Sequence, residues 1–210
     1  MKKIPSIIHQ IWVGSHPKPE KLMQTWKDKH PDFKFFEWNN ETVKKMKWRC
    51  QKQIDQMWAA ERWNGVADLI RYEVLSEFGG FVAPADSICL NPIDDLLPLG
   101  LFCCFENEKV RPGLLSPHIG ACPKDKLIEG MIEFLEKQDD VLYDEVWKVT
   151  GNALLTRAVA SNAYPIAILP SFTFIPEHYT GCKYEEDGTI YAKHFWGSTK
   201  QITDKLDEQI

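Results

Sequence analysis

The stretch Gly65–Ser87, GVADLIRYEVLSEFGGFVAPADS, decides the fold. Ala67, Ile70, Val74 and Phe78 recur near helical spacing, which predicts a helix over 64–78. Gly79 and Gly80 stop it, where a C-terminal glycine belongs. FVAPA then reads as a short strand that delivers one carboxylate, Asp86, with Pro84 two residues before it. Open α/β sheets bind ligands at strand ends of this kind, although a lone aspartate there is more often a turn residue. Asp68 and Arg71 lie three apart and share one helix face, a spacing more common in surface salt bridges than in sites.

Upstream, IPSIIHQIWVG is an apolar run closed by Gly14 and reads as a buried first strand. Residues 19–29 look helical, and the alternating aromatics of DFKFFEWN predict a second strand. A polar helix is expected from Asn40 to about Met57. Downstream, LFCCFE is a strand, HIGACPKDKLIEGMIEFLEKQ a strand, turn and helix, and TGNALLTRAV a helix start with Thr150 as its N-cap. IAILP and TIYAKHFWG are late strands, and ITDKLDEQI is a terminal helix. Strands alternating with helices predict an α/β fold, a Rossmann-like, mostly parallel sheet flanked by helices. With no internal repeat and no linker, the chain reads as a single domain over 1–210.

At 210 residues, 44% hydrophobic and 26% charged, the chain can bury a substantial core. Its net charge is −5, and the one basic cluster, KKMKWR at 44–49, reads as a solvated helix face; no nucleic-acid partner is expected. No apolar run is long enough for a transmembrane segment, and no signal-peptide core is apparent. Six cysteines without a C-x-x-C spacing, two of them adjacent at Cys103 and Cys104, suggest reduced thiols and a cytoplasmic location. Glycine-rich phosphate loops, a nucleophile elbow and the H-E-x-x-H zinc motif are all missing. A phosphorylated ligand would then need a metal ion held by carboxylates to offset its charge, and Asp86 is the best candidate. His194 and Ser198, in YAKHFWGS, and Trp12, in HQIWVG, are further candidates, though such residues more often pack in a core.

In combination these segments resemble the family-32 type of sugar transferases, the group with a DXD sugar-binding region and a GT-A fold. The resemblance runs from Ile4 to Ser198 through IPSIIHQIWVG, FKFFEWNNE, ADLIRYEVLSEFGGFVAPAD, HIGACPKDKLI, TGNALLT and HFWGS, in the family's order. It implies that Trp12 stacks on a uracil ring while Ile11 and Val13 offer backbone hydrogen bonds. Asp68 would accept from donor-sugar hydroxyls, Arg71 would reach the diphosphate, and Asn152 would join the nucleotide-sugar site. Asp86 would be the second DXD aspartate and bind metal, with His194 and Ser198 closing the coordination sphere. Asp68, Arg71 and Asp86 would form the catalytic set. The implied cofactor is Mn²⁺, with Mg²⁺ second, and the implied partners are a UDP-sugar donor and a glycan or glycoprotein acceptor. On this pattern residues 1–100 bind nucleotide, 101–199 close the metal and acceptor side, and 200–210 form a tail. Similar modules occur in large chlorella-virus glycosyltransferases, which suggests a viral or microbial source and, if viral, the host cytoplasm.

Pro84 stands where the family has its first aspartate, and proline offers neither carboxylate nor amide donor. The loss should cost sugar contacts more than metal contacts, making a deoxy sugar such as rhamnose as reasonable a cargo as glucose. Thr199, near the usual Ser-Trp ending, and TGN in place of TGP are further departures. Two other readings follow: a catalytically impaired module that binds a sugar nucleotide or glycan, and a nucleotidyltransferase. The latter needs a basic nucleotide loop, of which VGSHPKPEK is a poor version.

Overall fold

The structure is a computed structural model that describes residues 2–161, 164–184 and 186–210. A six-stranded sheet is built from β1 (Ile7–Ile11), β2 (Lys34–Trp38), β3 (Gly80–Ala83), β5 (Leu101–Asn107), β6 (Arg111–Ala121) and β7 (Ala167–Leu169). Their spatial order is β2-β1-β3-β6-β5-β7. β1 pairs in parallel with both β2 and β3, and β5 with β7, while β6 runs antiparallel to both of its neighbours. The sheet is thus mostly parallel, with one reversed strand supplied by the β5–β6 hairpin. A separate two-stranded sheet joins β4 (Ser87–Cys89) to β8 (Ala192–His194), antiparallel, with Ser87 opposite His194.

The period-two alternation of the strands divides the core. Val82, Cys103 and Ile119 face one apolar cluster, which also holds Leu69, Ile70, Leu127 and Ile132 from the helices α4 (Trp63–Phe78) and α5 (Lys126–Glu136). Phe81, Phe102 and Cys104 face a second cluster with Trp26 and Phe174. Trp26 belongs to α1 (Glu20–Lys29). Gly80 makes the pairing of β1 with β3 possible: its φ is +102°, and a Cβ there would lie 2.5 Å from the carbonyl oxygen of Ile7.

The predicted helix over 40–57 is two helices, α2 (Asn40–Lys45) and α3 (Gln51–Ala59). Asn39 starts the first with a capping box, and Met46 leaves it in extended backbone. The break lets Trp48 turn inward and donate its indole N–H to the Val43 carbonyl, 2.9 Å away, so apolar burial wins over helical continuity. Thr150 does not cap the helix α7 (Asn152–Ser161). It closes the short α6 (Val146–Val149), and its hydroxyl donates to Asp68. The tail forms 3-10 turns over Thr203–Glu208 in place of an α-helix, because its attachments are side chains rather than a continuous ladder. Asp207 accepts from the amides of Lys21 and Leu22 at the start of α1, Leu206 packs with Leu22 and Phe195, and Asp204 meets His16 at 2.7 Å. All six cysteines are unpaired, and five of them are buried.

Candidate active site

A cavity of about 810 Å³ opens where β1 and β3 end. Its wall includes Ile11, Trp12 and Val13 from the end of β1, Asp68 and Arg71 from α4, and Asp86 from the turn after β3. Asn152, His194 and Ser198 complete the set, so every residue singled out in the sequence lines this one space. These positions are spread over nearly 190 residues, and it is the parallel pairing of β1 with β3 that brings the first of them beside Asp86.

The Asp68–Arg71 pair is not on the surface. Both side chains are largely buried, and the guanidinium holds one Asp68 oxygen in a short ion pair. The other oxygen accepts from the Thr150 hydroxyl at 3.0 Å. Burial pushes the Asp68 carboxyl up, against the pull of Arg71 and Thr150. Asp68 therefore fixes the direction of Arg71, whose Nε is buried and has no partner.

Asp86 sits between β3 and β4 and is anchored at three points. Oδ1 meets His194 Nε2 at 3.0 Å, Oδ2 accepts the Gly197 amide at 2.9 Å, and its own carbonyl accepts the Phe195 amide. Burial would raise its pKa, but the His194 charge and hydrogen bond, with the Gly197 amide, hold it down at about 2. The carboxylate is therefore ionised across the physiological range. Trp196 aims that amide from a left-handed backbone conformation, φ +62°, which a bulky residue adopts only when the surroundings enforce it. Here the restraint comes from its indole N–H on the Glu177 carbonyl, 3.1 Å, and from ring contacts with His194 and Tyr179.

Residues 17–102 match the glycosyltransferase sugar-binding region containing the DXD motif. The segment is similar to that family's sugar-binding region. It holds Asp68, Arg71 and the Pro84-Ala85-Asp86 turn. Over 157 residues, 69% of this chain, the sequence is 28% identical to a mannosyl phosphorylinositol ceramide synthase of Saccharomyces cerevisiae, covering 36% of that protein. An inositol phosphoceramide mannosyltransferase of Schizosaccharomyces pombe is 24% identical over 83% of this chain and 58% of its own length. The chain thus spans between about a third and three-fifths of these curated relatives. Among solved structures, a PaToxG glycosyltransferase superposes with a TM-score of 0.62 at 16% identity, over 76% of this chain and 70% of that one. A glycosyltransferase involved in glycosylating the major capsid of PBCV-1 superposes with a TM-score of 0.53 at 12% identity, over 98% of this chain and all of the other. The fold is accordingly of the GT-A type.

Polar residues that the sequence does not single out also line the cavity. Glu106, at the end of β5, is buried and accepts from the Asn152 amide, with His178 Nε2 at 3.3 Å and Arg111 Nε at 3.5 Å. Asn152 is therefore held through Glu106. Arg111 lies over the Trp147 ring, 4.9 Å from its centre, on the same side of the cavity. His118, on β6, is 3% exposed; its Nδ1 contacts the Ser116 hydroxyl at 2.8 Å, while Nε2 has no partner. Burial, with His194 and Arg71 nearby, keeps that ring neutral. Only the strand pattern around 101–121 hinted at any of these, since none forms a local motif.

The donors fit a metal ion in a specific way. Among the described residues, no three His, Cys, Asp or Glu side chains converge into a cage. Asp86 retains a free lone pair on each oxygen, His194 Nδ1 is buried without a partner, and the Ser198 hydroxyl is tied to Asn64 at 3.2 Å. One carboxylate with weak co-donors would suit a hard divalent ion that also draws on oxygens of a bound substrate.

Proposed function

We propose that this domain is a metal-dependent glycosyltransferase that moves a hexose from a UDP-sugar to a glycan or glycoprotein acceptor. The observation that carries this reading is the convergence of Trp12, Arg71, Asp86 and His194 on one cavity. Trp12 offers a half-buried indole face at the end of β1, suited to stacking a base. Its N–H is already satisfied by the His16 carbonyl at 3.0 Å, so stacking needs no rearrangement of the ring. Asp86, with His194 and Ser198, would hold Mn²⁺, or Mg²⁺ as second choice. When bound, the ion would neutralise charge that grows on the leaving diphosphate.

Arg71 adds a fixed positive charge whose aim is set by Asp68, and its unpartnered Nε is a donor already stripped of water. Such preorganised donors stabilise developing charge without reorganising at the moment of reaction. Ser87 spends its hydroxyl on the Pro84 carbonyl, 2.6 Å, so this turn keeps its shape without a first aspartate. Glucose and a deoxy sugar such as rhamnose are the leading cargoes, and the names of the relatives add mannose. Six unpaired cysteines favour a reducing, cytoplasmic setting.

The test is a thermal-shift and donor-hydrolysis panel with UDP-glucose, UDP-rhamnose and GDP-mannose, with and without Mn²⁺. A Mn²⁺-dependent shift with slow release of free sugar from one donor is expected. Ligand at a hundred times its dissociation constant should stabilise by about 2.7 kcal/mol. No shift with any nucleotide sugar would sink the proposal. Pro84 supports a second reading, a binding module without turnover, which predicts the shift without sugar release.

A further inference from the structure

The turn after β3 lacks an acid at Pro84, yet an adjacent strand presents a polar atom with nothing to bind. The β3–β6 register pairs Phe81 with Gly120. Continuing it by two residues brings His118 level with Ala83, where β3 gives way to Pro84. His118 is almost wholly buried, lines the cavity and leaves Nε2 without a partner. Its ring centre lies 5.4 Å from that of His194, and the Ser116 hydroxyl engages its other nitrogen. A buried polar atom left unsatisfied costs about 1–3 kcal/mol, so native proteins rarely keep one that neither an ordered water nor a ligand answers.

We propose that His118 is a specificity-determining residue that hydrogen-bonds a hydroxyl of the transferred sugar, doing from β6 what a carboxylate at position 84 would do from the turn. This rests on the glycosyltransferase reading above. A neutral imidazole nitrogen either donates or accepts, according to how the Ser116 proton is placed, and a sugar hydroxyl can answer both. It adds no negative charge beside Asp86, so it reads the sugar without competing for the cation. The recognised ligand is the hexose portion of a nucleotide sugar, not the nucleotide.

Calorimetry with UDP and with the UDP-sugar that gives the largest thermal shift, both with Mn²⁺, tests this in three proteins. His118→Asn keeps an amide near the Nδ1 position and the Ser116 contact but removes the unpartnered Nε2. His118→Gln keeps an amide near the Nε2 position. H118N should bind UDP within about twofold of wild type and bind the UDP-sugar about tenfold more weakly, equivalent to about 1.4 kcal/mol. H118Q should recover to within about threefold of wild type. Equal UDP-sugar affinity in wild type and H118N would overturn the assignment while leaving the glycosyltransferase reading intact. Parallel loss of UDP and UDP-sugar affinity in H118N would also overturn it, in favour of a metal-linked or structural role. Wild type that binds no nucleotide sugar would sink both.

Discussion

Two carboxylate–imidazole pairs, each with its carboxylate on the cavity wall, differ in what they leave unfinished. In the Glu106–His178 pair, 3.3 Å apart, His178 is fully buried and its Nδ1 meets the Thr180 hydroxyl at 2.8 Å. Asn152 and Arg111 occupy the rest of the Glu106 carboxylate. In the Asp86–His194 pair, 3.0 Å apart, the carboxylate is more open and His194 Nδ1 has no partner. The first network is closed, which suits a structural tie. The second is held in place by its surroundings but is incomplete, which suits a ligand. Residue types alone do not separate the two; the count of satisfied nitrogens does.

The sharpest way to break this contrast is to remove each acid. Asp86→Ala should lower turnover by about 10²–10³, the usual cost of a lost charge-stabilising group, and abolish Mn²⁺-dependent stabilisation by UDP. Full metal dependence in the variant's melting shift would show that the open pair is not the metal site. Glu106→Gln should act on the fold instead. We expect a loss of roughly 1–3 kcal/mol in urea unfolding, because a buried hydrogen-bond network loses its charged acceptor. Unchanged stability there would mean that the closed pair is not a tie.

Smaller effects sharpen the picture. Trp12→Ala should weaken UDP binding by roughly 1–3 kcal/mol, the worth of a base stacked on an aromatic ring, and calorimetry reads it directly. Acid titration reports on the Asp86 environment. Its carboxyl is depressed from the ordinary 3.8 to about 2, so its contribution is present above pH 3.8 and lost as pH falls toward 2. Wild type should therefore lose about 2 kcal/mol more than Asp86→Asn across that window. An identical acid limb in both would refute the pairing with His194. Asp204→Ala, which releases His16 from the tail, should cost under about 1 kcal/mol, since both partners are largely exposed.

Much of this was legible in the sequence because its determinants are local. The Gly79-Gly80 stop, the apolar first strand and the Asp86 platform each depend on a few neighbouring residues, and all three are found where expected. The break at Met46 was not legible, because it is driven by Trp48 reaching the core rather than by a glycine or proline. β4 is only three residues long and exists through pairing with β8, more than a hundred positions away. The surface-bridge spacing of Asp68 and Arg71 misled for a related reason. Their burial comes from Thr150 and the chain around it, which no property of the helix alone announces. Glu106 and His118 were invisible singly, since an acid and a histidine in strands acquire meaning only from what stands across the sheet.

The 3-10 turns over Thr203–Glu208 have a consequence for the rim of the cavity. Thr203 and Leu206 help to wall it near Trp12, and Asp207 fastens the start of α1. A protease nick just before residue 203 would leave the whole sheet in place yet strip away that edge. Grip on a donor should then vanish while the folded core persists.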